Sequence, residues 1–217
     1  MRRKGSLLRE LPILVVVALV VSLLIKTFLV QFFYIPSGSM ENTLQIKDRV
    51  AVNKVPFISR NIARGDVVVF RDPAGWLPEN VDYSTNKYVA KLKTGLVAVG
   101  VLPNPAKQYL VKRVVGVGGD RVICCDKAGL LTVNGEAIKE PYIFAGNKAS
   151  EMNFDVTVPK GKVWVMGDHR NASADSRYHQ DDINKGFVPL SRITGRVVAV
   201  IWPLKHITYV PQINVLK

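Results

Sequence analysis

Residues 11–25 run without a single charge, and this stretch most limits what the chain can fold into. As a helix it spans about 22 Å. Residues 27–30 lengthen it to membrane dimensions if the Lys26 amine snorkels to the far interface. Phe32, Phe33 and Tyr34 suit an aromatic belt beyond it. A cleaved secretory signal needs small residues after the apolar run, and Ile25-Lys26-Thr27-Phe28 does not offer them. A buried core helix is rarely apolar all round. One transmembrane helix over residues 11–34 is therefore predicted. Residues 1–10 form a basic cytoplasmic head, and residues 35–217 lie on the extracytoplasmic side of a cell membrane.

After residue 40 the pattern changes to short β-branched runs between turn residues. Gly65-Asp66-Val67-Val68-Val69-Phe70, residues 109–115, residues 121–125, Lys162-Val163-Trp164-Val165-Met166 and residues 193–202 read as strands. Asn134-Gly135 is a hairpin signal. No repeat and no long amphipathic helix follows residue 40. The expectation is a mainly β, antiparallel catalytic domain with a smaller β region inserted at roughly residues 121–160. Residues 72–108, rich in Pro, Gly and Asn, read as a variable insertion.

The segment joining anchor to domain is Pro36-Ser37-Gly38-Ser39-Met40. In an extended stretch its two serines share a face, so one hydroxyl can attack while the other donates a hydrogen bond. The same residue types also build plain linkers. A serine nucleophile needs a base. The chain has three histidines, His169, His179 and His206, but Ser39 is not in a strand-to-helix nucleophile elbow. Lys112 is the better candidate. On its strand it shares a face with Leu110 and Val114, while Arg113 points the other way. If that face is core, burial lowers the amine's pKa and a neutral lysine can take a serine proton. If the face is solvated, Lys112 is an ordinary strand lysine. The polar loop of residues 167–177 follows a core strand; it can brace a site through an Asp175–Arg177 pair and a Ser173 hydroxyl, or be a plain surface loop.

The net charge of +13 leaves +9 on residues 36–217 once the +4 of residues 1–35 is set aside. Such a surface suits anionic lipid head groups. No nucleic-acid signature accompanies it, so no nucleic-acid partner is expected. The two cysteines are adjacent, Cys124-Cys125, which leaves a vicinal disulfide and two thiols both open and makes a cysteine zinc site improbable. No metal and no cofactor is expected.

Taken together, four stretches resemble the boxes of type I signal peptidases, the membrane-bound leader peptidases of bacteria. They are Pro36-Ser37-Gly38-Ser39-Met40, Arg64-Gly65-Asp66-Val67-Val68-Val69-Phe70, Lys112-Arg113-Val114-Val115-Gly116 with Gly119-Asp120, and residues 167–177. The resemblance runs from the anchor to about residue 202, with residues 72–108 outside it. It implies a serine endopeptidase that removes signal peptides from secreted preproteins, near a secretion translocon, by cutting after a small-x-small motif of the Ala-x-Ala kind. It implies Ser39 as nucleophile, Lys112 as general base, and Ser37 with the Ser39 amide as oxyanion donors. Ser173 would hold the lysine amine, and Asp175 and Arg177 would form a supporting pair. Phe33, Ile35 and Pro36 would wall the substrate pocket. The vicinal cysteines would face an oxidising side, where a disulfide between them can form, in a structural rather than a catalytic role. One position departs from the family pattern: His169 stands where Asn is common, and His169→Asn is expected to leave turnover largely intact at pH 8.

Two rivals stand beside this reading. Self-cleaving Ser/Lys repressors share the dyad but carry a DNA-binding domain in place of the apolar run. A non-catalytic, membrane-tethered β module associated with secretion would be expected to have lost Ser39 or Lys112, and a serine-reactive covalent probe separates it from an enzyme.

Overall fold

The computed structural model describes residues 7–55, 62–77 and 108–213. The apolar start forms α1 (Leu7–Phe28). Its described side chains, at positions 10–21, are all exposed. Among the described residues, no helix is long and apolar enough to cross a membrane. The helix stops at Phe28 rather than running to Tyr34, which corrects the expected span of residues 11–34. Residues beyond it form strand β1 (Val30–Tyr34), antiparallel to β2 (Arg49–Asn53). The reason lies in side-chain type and periodicity. β-branched and aromatic residues suit a pleated surface, and period 2 turns Phe33 into the core opposite Val50 while Phe32 and Tyr34 stay exposed.

The rest is antiparallel β structure. The remaining strands are β3 (Val67–Arg71), β4 (Tyr109–Val117), β5 (Arg121–Cys124), β6 (Thr132–Val133), β7 (Glu136–Ala137), β8 (Phe154–Thr157), β9 (Lys162–Met166), β10 (Val188–Pro189), β11 (Ile193–Trp202) and β12 (Thr208–Tyr209). The larger sheet runs β1-β2-β11-β3-β4-β9-β10, with β12 also on β11. The smaller runs β7-β6-β5-β8. It is fed by the tight Asn134-Gly135 turn, where both residues take positive φ (54° and 87°), as a two-residue hairpin of this hand requires. Of residues 72–108, the expected variable insertion, positions 78–107 lie outside the described residues.

β3 explains its own sequence. Its run of four apolar residues has no alternation because both faces are covered. Val67 and Val69 enter a cluster with Phe33, Met40 and Val197, while Val68 and Phe70 enter one with Leu110, Val114 and Val165. A third cluster, around Trp164, Val122, Leu131 and Phe154, joins the two sheets. Burying each such Val, Leu or Phe is worth about 1.5–3 kcal/mol. β4 is therefore a central strand with β3 on one side and β9 on the other, and whatever it carries is held rigidly.

Candidate active site

The turn after β1 carries Ser37 and Ser39. It is pinned at both ends. Ile35 N–H donates to Asp48 O (2.9 Å) and Lys47 N–H to Ile35 O (2.8 Å). Met40 and Leu44 plug the core, and the Thr43 and Leu44 amides both donate to Met40 O. Asn42 adopts φ 87°, a conformation Asn tolerates better than most residues, and its amide donates to Tyr142 O (3.1 Å). The result is a turn whose apolar side chains point in and whose two serines point to one side. Ser39 is buried and Ser37 exposed, with their hydroxyls 3.5 Å apart.

Lys112 projects from β4, opposite Val68 and on the face of Leu110 and Val114. That face is core, and Lys112 is only 4% exposed. Its Nζ lies 2.6 Å from Ser39 Oγ. Burial lowers the amine from its ordinary 10.5 to about 8; Asp175 and Asp168 pull it up and Arg177 pushes it down. Near neutrality a minority, about a tenth at pH 7, is thus the free amine, whose lone pair can accept the hydroxyl proton.

The loop after β9 supplies the surroundings. Asp175 is fully buried and saturated. It accepts from Gly167 N–H (2.9 Å), the Ser173 hydroxyl (2.8 Å) and the Arg177 guanidinium (2.8 and 2.9 Å). The Asp175–Arg177 pair is therefore direct. Ser173 gives its proton to Asp175, and among the described residues the hydrogen-bond partner of Lys112 Nζ is Ser39. Gly167 is needed for close approach: a Cβ there would fall 2.5 Å from Ser39 O. Of the three pocket-wall residues, Phe33 and Ile35 are buried in the cluster of Met40 and Leu44, whereas Pro36 is exposed.

Sequence reasoning missed two buried ion pairs under the loop. Arg113, on the opposite face of β4 from Lys112, forks onto Asp168 (2.8 and 2.6 Å). It also donates to Gly65 O and Thr43 Oγ1 and stacks on the Tyr142 ring at 3.9 Å. Thr43 in turn donates to Asp168 (2.5 Å), so the pair is bonded to the serine-bearing turn. Arg170 forks onto Glu140, which also accepts from the Tyr142 hydroxyl. Burial holds that hydroxyl well above its ordinary range, so it stays a donor. The Lys-Arg doublet and the Asp168/Arg170 spacing were visible signals, whereas nothing local marked Glu140. Further out, Arg64 forks onto Asp120 and so ties the stretch of residues 64–70 to that of residues 112–120.

No histidine ring bonds the Ser39 hydroxyl among the described residues. His169 Nδ1 faces Glu41, His179 Nδ1–H donates to the Asp175 carbonyl, and His206 Nδ1 faces Asp48. Cys124, the last residue of β5 in the smaller sheet, and Cys125 are disulfide-bonded to each other across a cis peptide. No group of three or more metal-ligating side chains assembles among the described residues.

The chain is similar to known proteins over most of its length. Residues 8–202 match the family described as "Signal peptidase, peptidase S26". Signal peptidase I of Mycobacterium tuberculosis is 38% identical over 234 residues, spanning 97% of this chain and 78% of the relative. The probable signal peptidase I of Mycobacterium leprae is 37% identical, over 93% of this chain and 78% of the relative. Probable signal peptidase I-2 of Synechocystis is 33% identical, over 91% and 75%.

Proposed function

Because the chain belongs to the peptidase S26 family of signal peptidases, and is thus a hydrolase that removes signal peptides, we propose that it does so with Ser39 as nucleophile and Lys112 as general base. The observation that carries the reading is the 2.6 Å approach of Lys112 Nζ to Ser39 Oγ, with the amine buried and lowered to about 8. Ser39 Oγ attacks the scissile carbonyl as neutral Lys112 takes its proton. The Ser37 hydroxyl and the Ser39 amide donate to the oxyanion of the tetrahedral intermediate. Lys112 then protonates the departing amine, and a water it deprotonates hydrolyses the acyl-enzyme. Asp175, held by Arg177 and Ser173, fixes the loop beneath the amine.

The substrate is a preprotein whose signal peptide binds extended, by strand addition, and is cut after a small-x-small sequence. Pro36, exposed beside Ser37, fits the pocket wall, with Phe33 and Ile35 backing it from the core. Residues 1–10 are cytoplasmic, α1 anchors the chain in the bilayer, and residues 35–217 work outside, close to the translocon. The uncharged run of residues 11–25, the exposure of positions 10–21, and exposed Phe32 and Tyr34 just past the helix support that placement. The domain limits of the sequence reading, with residues 72–108 and 121–160 as accessory regions, belong to the same proposal.

The test is cleavage of a purified preprotein in detergent by wild type, Ser39→Ala and Lys112→Ala, with N-terminal sequencing of the product. Cutting after the small-residue motif by wild type alone is expected. Substantial cutting by either variant would remove that residue from its role.

A further inference from the structure

We infer that Glu41 and His169 together position Ser39, an inference that rests on the Ser/Lys reading above. Glu41 sits two residues past Ser39. Its amide donates to Gly38 O (3.0 Å), and its side chain folds back over Gly38, where a Cβ would lie 2.8 Å from Glu41 Cδ and Oε1. His169 Nδ1 meets the other carboxylate oxygen, Oε2, at 3.0 Å. A carboxylate offers only lone pairs, so in this bond Nδ1 carries the proton whether or not the ring is charged.

His169 grips the turn a second time. Its backbone N–H donates to Ser39 O (3.1 Å). The ring is stacked on Phe144, centroids 4.2 Å apart and planes 18° apart, and Phe144 N–H donates to Asp168 O (2.9 Å). The imidazole is thus held in one orientation by the same segment that anchors the loop. One residue therefore holds the Ser39 carbonyl directly and the Gly38 backbone through Glu41.

The division of labour along the turn makes the pair matter. Its downstream half is fixed by Met40 and Leu44 in the core, by Thr43 on Asp168 and by Asn42 on Tyr142 O. Gly38 has no side chain of its own to hold it, and what lies over it is the Glu41 carboxylate. Losing the pair uncovers Gly38 while the backbone bonds from the Glu41 and His169 amides remain, so the Gly38–Ser39 segment loosens without the turn unfolding. Neither ring nitrogen is bonded to Ser39 Oγ or Lys112 among the described residues, so the role is positioning rather than proton transfer. A neutral N–H donor suffices, so an asparagine amide can replace the imidazole.

The experiment uses the full chain in detergent with a purified preprotein, comparing wild type, His169→Ala, His169→Asn, Glu41→Ala, the Glu41→Ala/His169→Ala double variant and Ser39→Ala. The two single alanine variants are expected to lose about tenfold in kcat with KM near wild type and an unchanged thermal midpoint. The double variant loses no more than the worse single, because each removes the same bond. His169→Asn stays within about threefold of wild type at pH 8. Single variants at wild-type kcat, losses that multiply in the double, His169→Asn as impaired as His169→Ala, or a kcat loss matched by a lowered thermal midpoint would each overturn the inference. Cleavage by Ser39→Ala would overturn the Ser/Lys reading and this one with it. An inactive Ser39→Ala beside a fully active His169→Ala overturns this one alone.

Discussion

Lys112 and Arg113 are neighbours on one strand, both nearly fully buried, yet the protein treats them in opposite ways. Lys112 points into one face of the sheet and meets a neutral hydroxyl at 2.6 Å. Arg113 points into the other and meets a forked carboxylate, a backbone carbonyl, a hydroxyl and an aromatic face. Burial penalises charge in both places. A guanidinium cannot shed its proton in a protein, so it has to be paired. An amine can, and with no carboxylate in hydrogen-bond contact it falls to about 8. The lesson is that the Lys112 face of β4 is defined by what it withholds. The carboxylates that influence Lys112, Asp175 and Asp168, are each already bonded to an arginine.

That contrast can be broken at the lysine. Lys112→Arg puts a permanently charged group in the uncompensated pocket and removes the proposed base. Preprotein cleavage is expected to fall about 10⁴-fold and to stay low at every pH from 6 to 10, read in single-turnover assays. Recovery at high pH would mean that another group supplies the base.

It can be broken at the arginine by taking away its partner. Asp168→Ala leaves the Arg113 charge buried without its carboxylate, which costs about 3–5 kcal/mol. Denaturant unfolding of the detergent-solubilised protein measures this. A loss under about 1 kcal/mol would show that Gly65 O, Thr43 and Tyr142 suffice for the guanidinium.

A smaller effect of opposite sign sharpens the comparison. The folded state binds the Lys112 proton more weakly than the unfolded chain, about 8 against 10.5. Below pH 8 both states are protonated and the folded state carries the whole burial penalty. Between 8 and 10.5 only the unfolded chain holds the proton, so this group's contribution to stability rises with pH. Lys112→Met removes the penalty. It should stabilise the inactive protein by about 3 kcal/mol at pH 7, a gain that shrinks through pH 8 to 10.5. Destabilisation at pH 7 would mean the amine is held by favourable contacts.

Much of this arrangement was legible before the fold. Alternation along β4 put Lys112 with Leu110 and Val114 and Arg113 on the reverse face, and Asn134-Gly135 marked its hairpin. The strand runs Lys162–Met166 and Ile193–Trp202 appear as read. What stayed hidden depends on tertiary proximity. Whether Lys112's face was buried could not be known until β3 and β9 flanked it. The Arg113–Asp168 and Arg170–Glu140 pairs join residues far apart in sequence, and a lone glutamate at 140 looks like any surface acid. The end of the helix was misread because residues 27–34 continue without a charge after Lys26. Only pairing with β2 distinguishes strand from helix there.

The proposed chemistry stands or falls on whether buried Lys112, as the free amine, takes the Ser39 proton. The most direct test is the pH dependence of kcat/KM for preprotein cleavage between pH 6 and 10, since that profile reports groups of the free enzyme. The account predicts a rise of about tenfold per pH unit that levels off with an apparent pKa near 8, absent in Lys112→Ala. A profile that inflects at the ordinary lysine value of 10.5, or one that Lys112→Ala leaves unchanged, would contradict it.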